Sequence, residues 1–120
     1  MKLLILLFLF LIYSPTTGVC GDALLTWDAP TTNTDGTPLE DLSGYKVYYG
    51  PSSGVYTSNI DAGNFLSYNV VDLQDGMTYY FAATAYDTSA NESGYSNEVS
   101  KIIEPHQRKQ KIINLRFRSR

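Results

Sequence analysis

One cysteine and one histidine stand in this chain of 120 residues. A single cysteine excludes an intrachain disulfide, and a single histidine leaves no set of ligands for a zinc site. Charge is sparse at 18%, and it is unevenly placed. Residues 22–104 hold only two basic side chains, Lys46 and Lys101, against twelve carboxylates, a net of −10. No stretch sustains a helical period, and the length gives one core with no room for a two-domain enzyme. Hydrophobic residues at 43% are too many for a disordered chain.

Ten of the sixteen aromatic residues are tyrosine. The basic charge missing from the middle is collected at the end: Arg108, Lys109, Lys111, Arg116, Arg118 and Arg120 make residues 105–120 a +6 tail. The acidic middle repels nucleic acid, so only the tail has the charge to attract a polyanion.

Lys2 precedes an unbroken apolar run, Leu3–Tyr13, followed by Ser14, Pro15, Thr16, Thr17 and Gly18. As a helix the run spans about 17 Å, too short for a hydrocarbon core of about 30 Å. Residues 1–21 therefore read as a secretory signal peptide, cleaved after Gly18 or Gly21, with an uncleaved anchor as the alternative. Cys20 raises a lipoprotein question, but Thr17 and Val19 sit where that signal takes an aliphatic and a small residue. The expected location is secreted, periplasmic or cell-surface, without a transmembrane span once the leader is removed.

Short runs with period-two alternation follow: 23–28, 45–49, 55–60, 66–71, 78–86 and 98–103, separated by Pro, Gly, Asn and Asp turn signals. Ala23, Leu25 and Trp27 share one face of the first run. Six short strands in about 80 residues predict an all-β sandwich. Asp28–Gly44 reads as a long loop, and 87–96 as a polar loop.

Leu25-Thr26-Trp27-Asp28-Ala29-Pro30 resembles the second strand of a fibronectin type III domain, and Gly44–Tyr49 resembles its third. Leu73, Gly76 and Tyr79, followed by alternating apolar positions to Ala85, form the most specific match, and Ser93–Glu98 resembles the approach to the last strand. The resemblance covers 23–103 and is similar to single modules of secreted bacterial proteins. It implies an immunoglobulin-like β-sandwich over 22–104, with Trp27 and Tyr45 in the core. Tyr79 would be a tyrosine corner whose hydroxyl bonds to upstream backbone. Where the family places its first strand, the leader ends, so that strand is expected to be short or missing.

Read onto that fold, Tyr45, Tyr49, Tyr68 and Tyr79 point inward. Tyr48, Tyr80 and Tyr86 point outward from neighbouring strands with Lys46 at their edge. Such a surface stacks on sugars or anchors a protein, and simple cross-strand pairing of aromatics is the alternative. No Arg-Gly-Asp tripeptide stands in the 87–96 loop, so integrin binding has no support. The carboxylates Asp28, Asp35, Glu40 and Asp41 allow glycoside cleavage in principle, but an ordinary solvated loop accounts for them. His106 lies beyond the last strand, away from any nucleophile in the domain. Asn33-Thr34-Asp35-Gly36 echoes part of a calcium loop, yet Thr31 and Leu42 fall where ligands belong; an Asp-Gly turn explains it as well. Asn91-Glu92-Ser93 is formally a glycosylation acceptor.

In the tail, Ile113, Leu115 and Phe117 alternate with polar residues. The segment is either a frayed extension or truncation remnant, a strand for an open sheet edge in cis or in a homodimer, or a patch for an acidic surface. The expectation is a secreted, non-catalytic module for protein interaction, adhesion or spacing at the cell surface, needing no cofactor. The alternative is a small carbohydrate-binding protein. The partner is an unidentified protein or polysaccharide of the cell envelope.

Overall fold

The computed structural model describes residues 20–104 and, as backbone, residues 9–12. Among the described residues seven strands form two sheets: β1 (Leu9–Ile12), β2 (Gly21–Trp27) and β5 (Ser67–Leu73) in one, β4 (Ser58–Gly63), β3 (Leu42–Gly50), β6 (Thr78–Asp87) and β7 (Val99–Ile102) in the other. The spatial orders are β1-β2-β5 and β4-β3-β6-β7, every pairing antiparallel. This is the expected all-β sandwich. None of the described residues forms a helix long and apolar enough to cross a membrane.

The core follows from period-two patterning on facing strands. β2 buries Ala23, Leu25 and Trp27 and leaves Asp22, Leu24 and Thr26 partly exposed. β3 answers with Tyr45 and Val47, β5 with Val70 and Leu73, β6 with Phe81, Ala83 and Ala85. Tyr49, Tyr68 and Tyr79 pack half-buried against this core. The Trp27 and Tyr45 rings meet at 5.3 Å, joining the two sheets. The Tyr79 hydroxyl accepts a 3.1 Å hydrogen bond from the Gln74 amide, the expected corner. Gly76 sits at φ +82°, a conformation that glycine adopts without strain, and its amide bonds to the Ile103 carbonyl at 2.6 Å.

Several expected strand bounds are corrected. The strand placed at 55–60 begins at Ser58, because the Val55 amide closes a turn onto the Ser52 carbonyl and diverts the chain. The strands placed at 66–71 and 98–103 occupy Ser67–Leu73 and Val99–Ile102. The first strand is short, one of the two expected outcomes. Its four residues pair Leu9 to Trp27 through Ile12 to Leu24, and they come from within the segment 1–21 read as a leader. The rest of that leader, apart from Cys20 and Gly21, lies outside the described residues, as do His106 and the whole tail 105–120. Cys20 is exposed just ahead of β2.

Candidate functional site

The outward side of the four-stranded sheet carries the expected tyrosines, but not as one patch. Tyr80 and Tyr86 are six residues apart on β6, about 20 Å along a strand. Tyr80 lies opposite Gly50 and Tyr86 opposite Gly44. The Tyr86 ring crosses Gly44, where a Cβ would come within 2.5 Å of its hydroxyl, and that hydroxyl donates to Asp61 on β4 at 2.8 Å. The carboxylate bond raises the Tyr86 pKa; the Gly63 amide first and Tyr86 second lower that of Asp61. Lys46 Nζ stands 5.9 Å from the Tyr86 ring and 3.3 Å from Glu92. Tyr86 and Lys46 thus form one small group, and the trio Tyr48, Tyr80 and Tyr86 is not contiguous.

Tyr48 is joined to that group only through Glu92, which also binds Lys46, and its ring packs against other tyrosines. Its ring meets Tyr95 edge-on at 5.1 Å, and Tyr95 meets Tyr56 the same way at 5.1 Å. Tyr56 and Tyr95 lay in stretches read as a weak strand and a polar loop, so sequence reasoning passed over both as site residues. The 92–98 segment is what brings them in. It runs beside β6, with the Ser93 amide bonded to the Ala85 carbonyl and the Ser96 amide to the Ala83 carbonyl, each at 2.8 Å. In return, the Ala85 and Ala83 amides donate to the Ser93 and Ser96 hydroxyls at 2.9 and 2.8 Å. Two side-chain oxygens replace two ladder carbonyls.

Three residues of this segment match two of β6, so its contacts repeat every third residue instead of every second. Ser93 and Ser96 face the strand. Glu92, Tyr95 and Glu98 face the tyrosines. Glu92 accepts from the Tyr48 hydroxyl, from Thr84 Oγ1 at 2.7 Å and from Lys46. Glu98 accepts from Ser53 Oγ at 2.6 Å, the Gly54 amide at 2.8 Å and the Tyr56 hydroxyl at 2.6 Å. A run of Glu, Tyr and Glu at spacing three, interleaved with Ser at spacing three, was the available signal.

The electrostatics follow from these bonds. Burial pushes the Glu92 carboxyl up, but hydrogen bonds from Tyr48, Thr84 and Lys46 outweigh it and hold the pKa below its ordinary value. Glu98 is lowered by Ser53, Tyr56 and Gly54 in that order. Burial, then the Glu92 bond, pushes Tyr48 up to about 12, and the same causes with Glu98 raise Tyr56 further. Both tyrosines are thus neutral and both glutamates ionised at neutral pH. Tyr95 stays 52% exposed between them. The result is an aromatic surface rimmed by two carboxylates, Glu92 paired with Lys46 and Glu98 held by neutral donors.

The other candidates resolve locally. Asp35 Oδ1 accepts from the Thr37 amide at 3.0 Å and from the Thr37 hydroxyl at 2.6 Å, and Gly36 takes φ +89°, so Asn33–Gly36 is an Asp-Gly turn. Asn91 of the glycosylation triplet donates its amide to buried Asp87 at 2.9 Å. Among the described residues no three His, Cys, Asp or Glu side chains gather as a metal site.

No family model matches the chain. Over 65 residues it is 43% identical to a Kelch domain-containing protein of Saccharolobus solfataricus, a stretch covering 54% of this chain and 8% of that protein. The chain thus spans less than a tenth of that relative's length. Among solved structures it is similar to a fibronectin type III domain derived from a human protein, with TM-score 0.62 and 18% identity over 85% of this chain and 75% of that one. It is also similar to the pectate lyase PelI of Erwinia chrysanthemi, solved with tetragalacturonic acid. There the TM-score is 0.56 and the identity 17%, over 79% of this chain and 28% of that one. At such identities the likeness is one of fold, and the fold is a fibronectin type III-like β-sandwich.

Proposed function

We propose that the chain is a secreted, non-catalytic interaction module of the single-domain type found in bacterial secreted proteins, acting at the cell surface in adhesion or spacing. Its contact surface is centred on Tyr95, with Tyr48 and Tyr56 beside it and Glu92 and Glu98 at the rim. One observation carries this reading: Tyr95 is held half-exposed by two edge-on tyrosines, each anchored through its hydroxyl to a carboxylate. Side chains fixed in this way lose little freedom on binding, and tyrosine supplies apolar area with a polar rim. The partner it fits is an envelope protein presenting a lysine or arginine, which stacks on a ring and meets a carboxylate. Lys46 and Tyr86 form the neighbouring edge, and Tyr80 lies outside the surface.

A second reading is the binding of a neutral polysaccharide, whose sugar rings would stack on the exposed Tyr95. A polyuronate would meet Glu92 and Glu98 with like charge, so the sugar chain would be uncharged. Capture from a native envelope preparation with wild type, Tyr95→Ser and Tyr80→Ser tests the proposal. Capture lost with Tyr95→Ser and kept with Tyr80→Ser supports the face; equal capture by all three removes it. Release of the captured material by a neutral oligosaccharide, and not by raised salt, would select the second reading.

A further inference from the structure

Large apolar side chains stand exposed beyond both ends of β4. Val55 is 57% exposed on the turn before it; Phe65 and Leu66, 69% and 52% exposed, follow it on the short connection to β5. Phe65 and Leu66 form a fixed tip. The Phe65 ring lies back on Gly63, which takes φ +69°, and a Cβ there would come within 3.3 Å of the ring. The Leu66 carbonyl accepts from the Trp27 amide at 3.1 Å, which ties the tip to the end of β2.

The apolar N-terminal run meets the fold at this same end. β1 is antiparallel to β2, and its first residue, Leu9, lies opposite Trp27. Leu66 flanks Trp27 from the β5 side, two strand spacings or about 10 Å from Leu9. Residues 3–8, Leu-Leu-Ile-Leu-Leu-Phe, therefore join the fold beside the exposed tip. We propose that this end of the sandwich is seated on a zwitterionic lipid surface, held by Phe65 and Leu66 together with a retained 3–8 segment.

Size and charge choose the occupant. Two side chains offer far less than the about 800 Å² per partner of a stable protein interface, which argues against a partner protein or a second copy. A bilayer needs no matching surface. One weak apolar signal attaches a protein only marginally, whereas two hold it. The tip and the run are two such signals at one place. Residues 22–104 carry −10, and Asp28 and Asp61 are exposed close to the tip, Asp61 accepting from the Gly63 amide at 2.9 Å. An anionic headgroup is therefore repelled, and a zwitterionic one is not.

The seat leaves the tyrosine face clear. Tyr56 follows Val55 on the turn at the far end of β4, about 20 Å from the tip. A module resting on the Phe65 end thus presents Tyr56 and Tyr95 away from the lipid. The inference does not rest on the contact surface proposed above.

The test uses the full chain and phosphatidylcholine vesicles, whose neutral surface gives the basic tail nothing to bind. The double variant Phe65→Ser/Leu66→Ser is expected to lower vesicle partitioning at least about tenfold at an unchanged thermal midpoint. With brominated phosphatidylcholine, Phe65→Trp fluorescence is expected to be quenched and Val55→Trp fluorescence not, the buried Trp27 giving both the same background. Wild type that stays off the vesicles, partitioning unchanged in the double variant, or equal quenching of the two tryptophan variants each overturns the seat. Protein recovered from the native envelope with a mass lacking residues 3–8 also overturns it, and leaves capture through Tyr95 untouched. Self-association lost in the double variant, with no vesicle binding, overturns it in favour of a second copy.

Discussion

Tyr48 and Tyr95 meet at 5.1 Å with their ring planes 78° apart, although they come from a central strand and from a segment outside any strand. That contact and its counterpart from Tyr56 fix the 92–98 segment over the sheet. Edge-on aromatic pairs contribute about 0.5–1.5 kcal/mol each beyond their buried area. Tyr95→Ala is therefore expected to cost about 1–3 kcal/mol, read as a lower urea midpoint at unchanged slope.

Ser93 and Ser96 act through their hydroxyls. Replacing either with alanine leaves the Ala85 or Ala83 amide without its acceptor, at a cost of about 1–2 kcal/mol each. Because both serines hold one segment, the double variant should differ from the sum of the two singles. A double-mutant cycle by chemical denaturation measures that coupling.

The pH profile has two flanks with different owners. Glu92 and Glu98 have lowered folded pKa values, so their contribution is present above about 4.5 and is lost as pH falls through the folded values. Tyr48 has a raised one, so its contribution is complete below pH 10 and is lost as pH rises through about 12. Tyr56 acts in the same direction. In thermal melts, Glu92→Gln and Glu98→Gln are expected to flatten the acid flank, and Tyr48→Phe the alkaline one.

Two tyrosine-to-phenylalanine changes should have opposite results. Among the described residues the buried Tyr45 hydroxyl has no hydrogen-bond partner, so Tyr45→Phe removes a desolvated polar group and should leave the protein equally or more stable. The Tyr79 hydroxyl accepts from the Gln74 amide, so Tyr79→Phe should cost about 1 kcal/mol. Differential scanning calorimetry of the pair separates the two cases.

The fold was legible because its signals are local. Ala23, Leu25 and Trp27 alternate on one strand, and Leu73, Gly76 and Tyr79 mark one turn. The site was less legible because it depends on a segment with no strand period. Tyr48 was assigned to an outward face from β3 alone. Its partners Tyr95 and Glu92 were hidden in residues whose contacts recur every third position, and Tyr56 in a strand that starts two residues later. Parity along β6 grouped Tyr80 with Tyr86, since alternation fixes a face and says nothing of distance along it. The first strand was obscured for another reason: Leu9–Ile12 carry the apolar character of both a leader and a strand.

The central claim is that the Tyr48–Tyr56–Tyr95 face makes the contact. Backbone and ring resonances of labelled protein, followed during titration with the captured envelope partner, test it most directly. The account predicts shifts centred on Tyr48, Tyr56, Glu92, Tyr95 and Glu98. Shifts confined to the exposed side of the other sheet, around Asn69 and Val71, would contradict it.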